Sequence, residues 1–211
     1  MSRRTSLIIG LSLFVLVAIP VYLYRTAAVT PEFYRQADLN AKPPEEIRKL
    51  SKRFVQGVVE LAQNARREPH WQQEFTESEI NSWLSDELPA KYPQWIPSEL
   101  SQPRIHCDGE SVWLAGQIQR NYWRGVVSCR LKPWITKTNQ VALEIERVQA
   151  GQLPIPVDSL LETFVERARN NGWQVRWNQA GRHDVLVLHL EEKIGPDLLI
   201  EQLAVDQGKI I

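Results

Sequence analysis

The chain has 211 residues, and setting aside an apolar start and the stretch behind it leaves roughly 170, enough for one domain with a sizeable core. Lys plus Arg and Asp plus Glu are both 25, so no net field recruits nucleic acid, and no basic tract interleaved with aromatics is present. Nucleic-acid binding is thereby excluded.

From Leu7 to Tyr24 the chain runs about 18 residues without a charge, which at ~1.5 Å per residue approaches the thickness of a bilayer's hydrocarbon core. Arg3 and Arg4 precede this run, and Tyr22, Tyr24 and Arg25 end it as an interfacial belt does. The run is longer than the apolar part of a cleaved signal, and Thr26-Ala27-Ala28 is a mediocre cleavage site. It therefore reads as a transmembrane anchor with the arginines held in the cytoplasm, so that residues 1–25 are cytoplasmic tip and anchor and everything later is extracytoplasmic. Residues 26–44, with Pro31, Pro43 and Pro44 and little periodicity, read as a stalk. A single α+β domain is expected over 45–211.

Pro44, Glu45 and Glu46 open a helix in which Ile47, Leu50, Phe54, Val58 and Leu61 recur at helical spacing through about Arg66, a stripe expected to face the core. A second helix starts at Phe75-Thr76-Glu77-Ser78-Glu79-Ile80, where Thr76 caps the helix and Glu79 reaches back to its amide. Ile80, Trp83, Leu84 and Leu88 give it an apolar face, and Pro89 with Pro93 is expected to end it. The proline-rich stretch to Pro103 carries Tyr92, Trp95, Ile96 and Leu100 and reads as an ordered loop.

From Arg104 the apolar period changes to two. Ile105 and Cys107 lead to an Asp108-Gly109 hairpin turn, then Val112, Leu114, Gly116 and Ile118 share one face, followed by Trp123, Gly125, Val127, Cys129 and Leu131, and by Val141, Leu143 and Ile145. After Gly151-Gln152-Leu153-Pro154-Ile155-Pro156 a third helix is expected on Val157, Leu160, Leu161, Phe164 and Ala168, stopped by Asn171-Gly172. Strands follow at Trp173–Trp177 and Val185–Leu190, the latter apolar on both faces and so central, and a last strand, turn and strand run from Leu198 to Ile211. The fold class is α+β: a transmembrane helix, then a curved, mainly antiparallel sheet packed with about three helices.

The chain shows no reaction centre. His70, His106, His183 and His189 lack partners at metal-ligand spacing, and no glycine loop suits a phosphate, so neither a metal nor a cofactor is expected. Cys107 and Cys129 sit mid-strand without an activating neighbourhood and suit either one disulfide or two buried thiols. Asp86 and Glu87, like Glu144 and Glu146, have the spacing of surface carboxylates. What remains is aromatic: Ile80, Trp83 and Leu84 on the second helix, Trp95 in the loop, and Trp113 and Trp123 on the sheet either line a groove for an acyl chain or fill the core. No enzyme is expected. The leading expectation is a noncatalytic membrane-anchored envelope protein that binds a lipid or other apolar ligand on the concave side of its sheet; the competing one is a protein-interaction or scaffolding domain with an envelope protein as partner.

Phe75-Thr76-Glu77-x-Glu79-Ile80-Asn81-x-Trp83-Leu84, the strand run, and Gly151-x-Leu153-Pro154-Ile155-Pro156 before a helix resemble the YpmS-like family of bacterial membrane-anchored extracytoplasmic proteins, over about residues 75–170. That family has no characterised role. The order of helix, curved sheet and helix also resembles tubular lipid-binding domains, which implies lipid binding and no catalytic residues. The many tryptophans and the Pro89–Pro103 loop depart from the Gram-positive pattern of the first family.

Overall fold

The computed structural model describes residues 3–37, 39, 42–68, 70–120, 123–137, 139–156, 158–180, 183–190 and 199–211. The first helix, α1, runs Arg3–Ala28, about 39 Å at ~1.5 Å per residue, which exceeds the ~30 Å hydrocarbon core of a bilayer. From Phe14 on it overlaps the stretch Phe14–Gln36, which by length and composition is long and apolar enough to cross a membrane. Phe14, Leu16 and Tyr22 are each 70% exposed, whereas Ala27 is buried, so α1 leaves the rest of the protein except at its last residues.

Residues 26–44, expected as a stalk, carry the short helix α2 (Glu32–Gln36), with Tyr34 and Leu39 buried. The next helix, α3 (Pro44–Arg67), has proline in its first turn and two glutamates beside it. Its buried residues are Ser51, Gly57 and Ala65; of the expected stripe Ile47, Leu50, Phe54 and Leu61 are partly buried and Val58 is exposed. α3 packs on α4, with the Phe54 ring against Trp83, and a Cβ at Gly57 would come 2.9 Å from the Phe75 ring, so glycine lets the chain approach there.

Helix α4 (Glu77–Lys91) follows the two-residue strand β1 (Phe75–Thr76). Thr76 and Glu79 form the expected reciprocal cap. As expected, α4 ends between Pro89 and Pro93, at Lys91; it includes Pro89, and its last turn is closed by Tyr92 N donating to Leu88 O.

The main sheet contains β2 (Leu100–Asp108), β3 (Ser111–Arg120), β4 (Trp123–Lys137), β5 (Gln140–Ala150), β6 (Leu153–Pro154), β7 (Gln174–Ala180) and β8 (His183–His189). Its order is β2-β3-β4-β5-β8-β7, every pairing is antiparallel, and β6 adds to β5. The sheet is open. β2 begins four residues earlier than Arg104 because a bulge between Ser101 and Arg104 admits Pro103, a device suited to an edge strand. β8 is internal, as its apolar sequence requires, with Val185 and Leu186 buried.

Helix α5 (Asp158–Asn170) ends at Gly172, whose φ of +74° supplies the left-handed cap. The side chains at 157–161, 163 and 164 lie outside the described residues; Val165 and Ala168 pack with Leu131, Ile145, Val148, Val175 and Leu186. α4 covers the same face nearer the β2 edge, through Ile80 and Leu84 on Ile105, Cys107 and Val112. The expected last strand and turn reduce to a hairpin of β9 (Val205–Asp206) and β10 (Lys209–Ile210), which pairs with β1; residues 191–198 lie outside the described residues. Cys107 and Cys129 are both free thiols, in strands separated by β3.

Candidate functional site

The N-terminal end of α4 closes the edge of the sheet. An edge strand presents unpaired backbone groups, and on β2 side chains of α4 satisfy them. Asn81 Nδ2 donates to Ile105 O at 2.9 Å, and Ile105 N donates to Asn81 Oδ1 at 2.7 Å. Cys107 N donates to Glu77 Oε2 at 3.0 Å, and Gly208 N donates to Cys107 O at 3.3 Å from the C-terminal hairpin. Glu77 also meets His106 Nδ1 at 3.1 Å, and the His106 ring stacks on Phe33. Glu77 and Asn81 were not singled out in the sequence, although both stand in its best-marked helix opening.

The C-terminal end of α4 is built differently. There the helix, the 3-10 turn Pro93–Trp95 and the start of β2 enclose an open cleft of ≈ 430 Å³, lined by Leu84, Pro89, Pro93, Ile96, Leu100 and Pro103 among others. Leu100 lies over Gly116, where any Cβ would collide with it. A run of rings connects Phe75, Phe54, Trp83, Tyr92 and Trp95, with centroids 5.1, 5.3, 6.3 and 4.9 Å apart in that order. Its outer members are exposed, Tyr92 by 36% and Trp95 by 45%.

The six residues expected at a ligand site therefore divide. Ile80 and Leu84 fill the core beneath α4, and Leu84 also reaches the cleft. Trp83 and Trp95 belong to the ring run. Trp113 stands on the opposite face, its ring 5.0 Å from Phe33 and 5.7 Å from the Arg130 guanidinium. Trp123 lies at the start of β4 with its ring against Gly125, and its buried indole N–H has no hydrogen-bond partner among the described residues. They do not line one groove on the sheet. Alternation placed each tryptophan on a strand face but carried no information on which face the anchor-side segment would cover.

That segment is α2. Tyr34 Oη donates to Gln102 O at 2.8 Å, Arg104 Nη1 donates to Tyr34 O at 2.9 Å, and the Arg104 guanidinium lies 4.6 Å from the Tyr34 ring. The end of α1 is seated by the turn after β5. Gln152 N donates to Thr26 O at 3.1 Å, and Gly151, at φ +59°, has the carbonyl oxygens of Ala27, Thr26 and Val29 at 2.5–2.7 Å from where a Cβ would stand. Only glycine fits both the backbone and that space.

The polar clusters consist of ion pairs and hydrogen bonds. Arg130 pairs with Glu146 and Asp108, Ser111 donates to Glu146, and Glu87 pairs with Lys91. No group of three or more His, Cys, Asp and Glu side chains is arranged to hold a metal ion among the described residues. Burial pushes the Cys107 and Cys129 thiols up to about 12, which holds both protonated and unreactive at neutral pH. No protein-family model, curated protein or solved structure matches the chain.

Proposed function

We propose that the chain is a noncatalytic membrane-anchored envelope protein, extracytoplasmic beyond α1, that binds an acyl chain or similar apolar ligand in the cleft at the C-terminal end of α4. The cleft carries this reading: leucine, isoleucine and proline make up most of its wall, beside Ser85, Ser98, Ser101 and Gln102, the exposed Tyr92 and Trp95 flank its residue Pro93 in the chain, and largely apolar concavities suit apolar ligands. The face of the sheet beneath α4 is filled by Ile80, Leu84, Ile105 and Val112. Arg3 and Arg4 ahead of the apolar run support the orientation. The resemblance to the YpmS-like family rests on the helix opening that closes β2, the strand run and the glycine turn that seats α1.

A second reading, a partner-protein docking surface, is favoured by the openness of the cleft to solvent. Full-length protein in membranes loaded with a phospholipid bearing a photoreactive acyl chain separates the two. The lipid reading expects adducts on peptides carrying Leu84, Ile96 or Leu100. Discrete protein crosslinks from a photoreactive residue at Ile96, with no lipid adduct, overturn it in favour of the second.

A further inference from the structure

We infer that the end of the sheet nearest α1 rests on the bilayer, with Tyr92 and Trp95 in its headgroup layer and the cleft opening into the same leaflet. This rests on the reading of α1 as the membrane anchor.

The strand register carries the argument. Leu100 pairs with Ile118 and Ile118 with Gly125, so these three residues form one row across β2, β3 and β4. Two residues along β4, Val127 pairs with Ala150, the neighbour of Gly151, against which the end of α1 is seated. The start of β2 and the exit of α1 therefore lie at the same end of the sheet, separated laterally by three strand spacings, about 14 Å. α4 runs toward that end: Asn81 meets Ile105, whereas Leu84 and Pro89 share the cleft with Leu100. Tyr92 and Trp95 follow directly.

The linkage is stiff. Gln152 N caps Thr26 O, and α2, four residues after α1, is fastened by Tyr34 to the β2 bulge whose residues Gln102 and Pro103 form a wall of the cleft. With residues 14–25 of α1 almost wholly free of the domain, the end of the sheet that holds Ala27 is the end turned toward the bilayer. What that end exposes is chemistry of an interface: the rings of Tyr92 and Trp95, with Arg25, Arg120 and Arg124 exposed and Glu99 as an opposing carboxylate. Tyrosine and tryptophan partition to the headgroup level, and arginine suits anionic lipids.

The test uses the full chain in vesicles of phosphatidylcholine and phosphatidylglycerol, with single reporter fluorophores on Trp95→Cys, Tyr92→Cys, Lys137→Cys and Leu16→Cys, and lipids carrying quenchers at the headgroup or deep in the acyl chains. Burial raises the Cys107 and Cys129 thiols to about 12, which slows their labelling, and the chain without an added cysteine serves as the labelling blank. Headgroup quenchers should extinguish the labels at 95 and 92 but not the one at 137, on the β4 end away from α1, and deep quenchers should extinguish the label at 16. Labels at 95 and 92 no more quenched than that at 137, with 16 quenched, overturn the inference and leave the anchor standing. A label at 16 that escapes every quencher overturns the anchor and the inference together.

Discussion

The two ends of α4 do opposite things with the same neighbouring strand. At its N-terminal end Glu77 and Asn81 place polar atoms on the backbone of β2 until the edge is closed. At its C-terminal end prolines supply no amides, the strand bulges away, and apolar surface is left uncovered around the cleft. The first end holds the fold together; the second is where a ligand has room. Substitutions at the first should therefore change stability, and substitutions at the second should change capture.

Asn81→Ala should cost the most, about 3 kcal/mol, because it strips both partners from the buried Ile105 peptide groups and an orphaned buried group costs roughly 1–3 kcal/mol. Denaturant unfolding of the full chain in mild detergent measures it, and a loss under about 1 kcal/mol would mean that water replaces the amide and the edge is not closed by α4. Gly151→Ala should cost roughly 2 kcal/mol, from the left-handed backbone and the three carbonyls around it. It should also speed hydrogen exchange at the Gln152 amide, since the seat of α1 loosens. Thr76→Ala removes one side of the reciprocal cap and should cost about 1 kcal/mol, read from the same unfolding curves.

The alkaline limb gives a separate handle on the filled region beneath the helices. Both thiols are raised by burial to about 12, so the stability they contribute is complete below the unfolded thiol value and drains away as pH rises from about 9 toward 12. At pH 8 only on the order of one thiol in ten thousand is ionised in the folded chain, and iodoacetamide labelling should therefore follow unfolding. Prompt labelling of native protein would show that the interior is open. Trp95→Ala should change stability least, by under about 1 kcal/mol for an exposed ring, yet lower acyl-chain capture.

The parts legible in the sequence were those fixed by local chemistry. The reciprocal cap of Thr76 and Glu79, the glycine stop at Gly172 and the strands β3 and β4 need only nearby residues, and the structure has them. Features set by distant packing were not legible. Tyr34 lies in a stretch without periodicity, because α2 is a single turn held by contacts to β2 some 70 residues away. Val58 fits the stripe of α3 yet is exposed, whereas Ser51, Gly57 and Ala65 are buried. The tryptophans were legible as apolar positions, but their division between two faces and a loop depended on where α2 and α4 land.

The central claim is that an apolar ligand occupies the cleft at the C-terminal end of α4, and blocking that space is its most direct test. Ser85 lines the cleft and is exposed, so Ser85→Trp fills it without entering the core. Photoreactive phospholipid should then label the variant no more than an unirradiated control, at unchanged unfolding free energy. Labelling at the wild-type level in a folded Ser85→Trp protein would contradict the account.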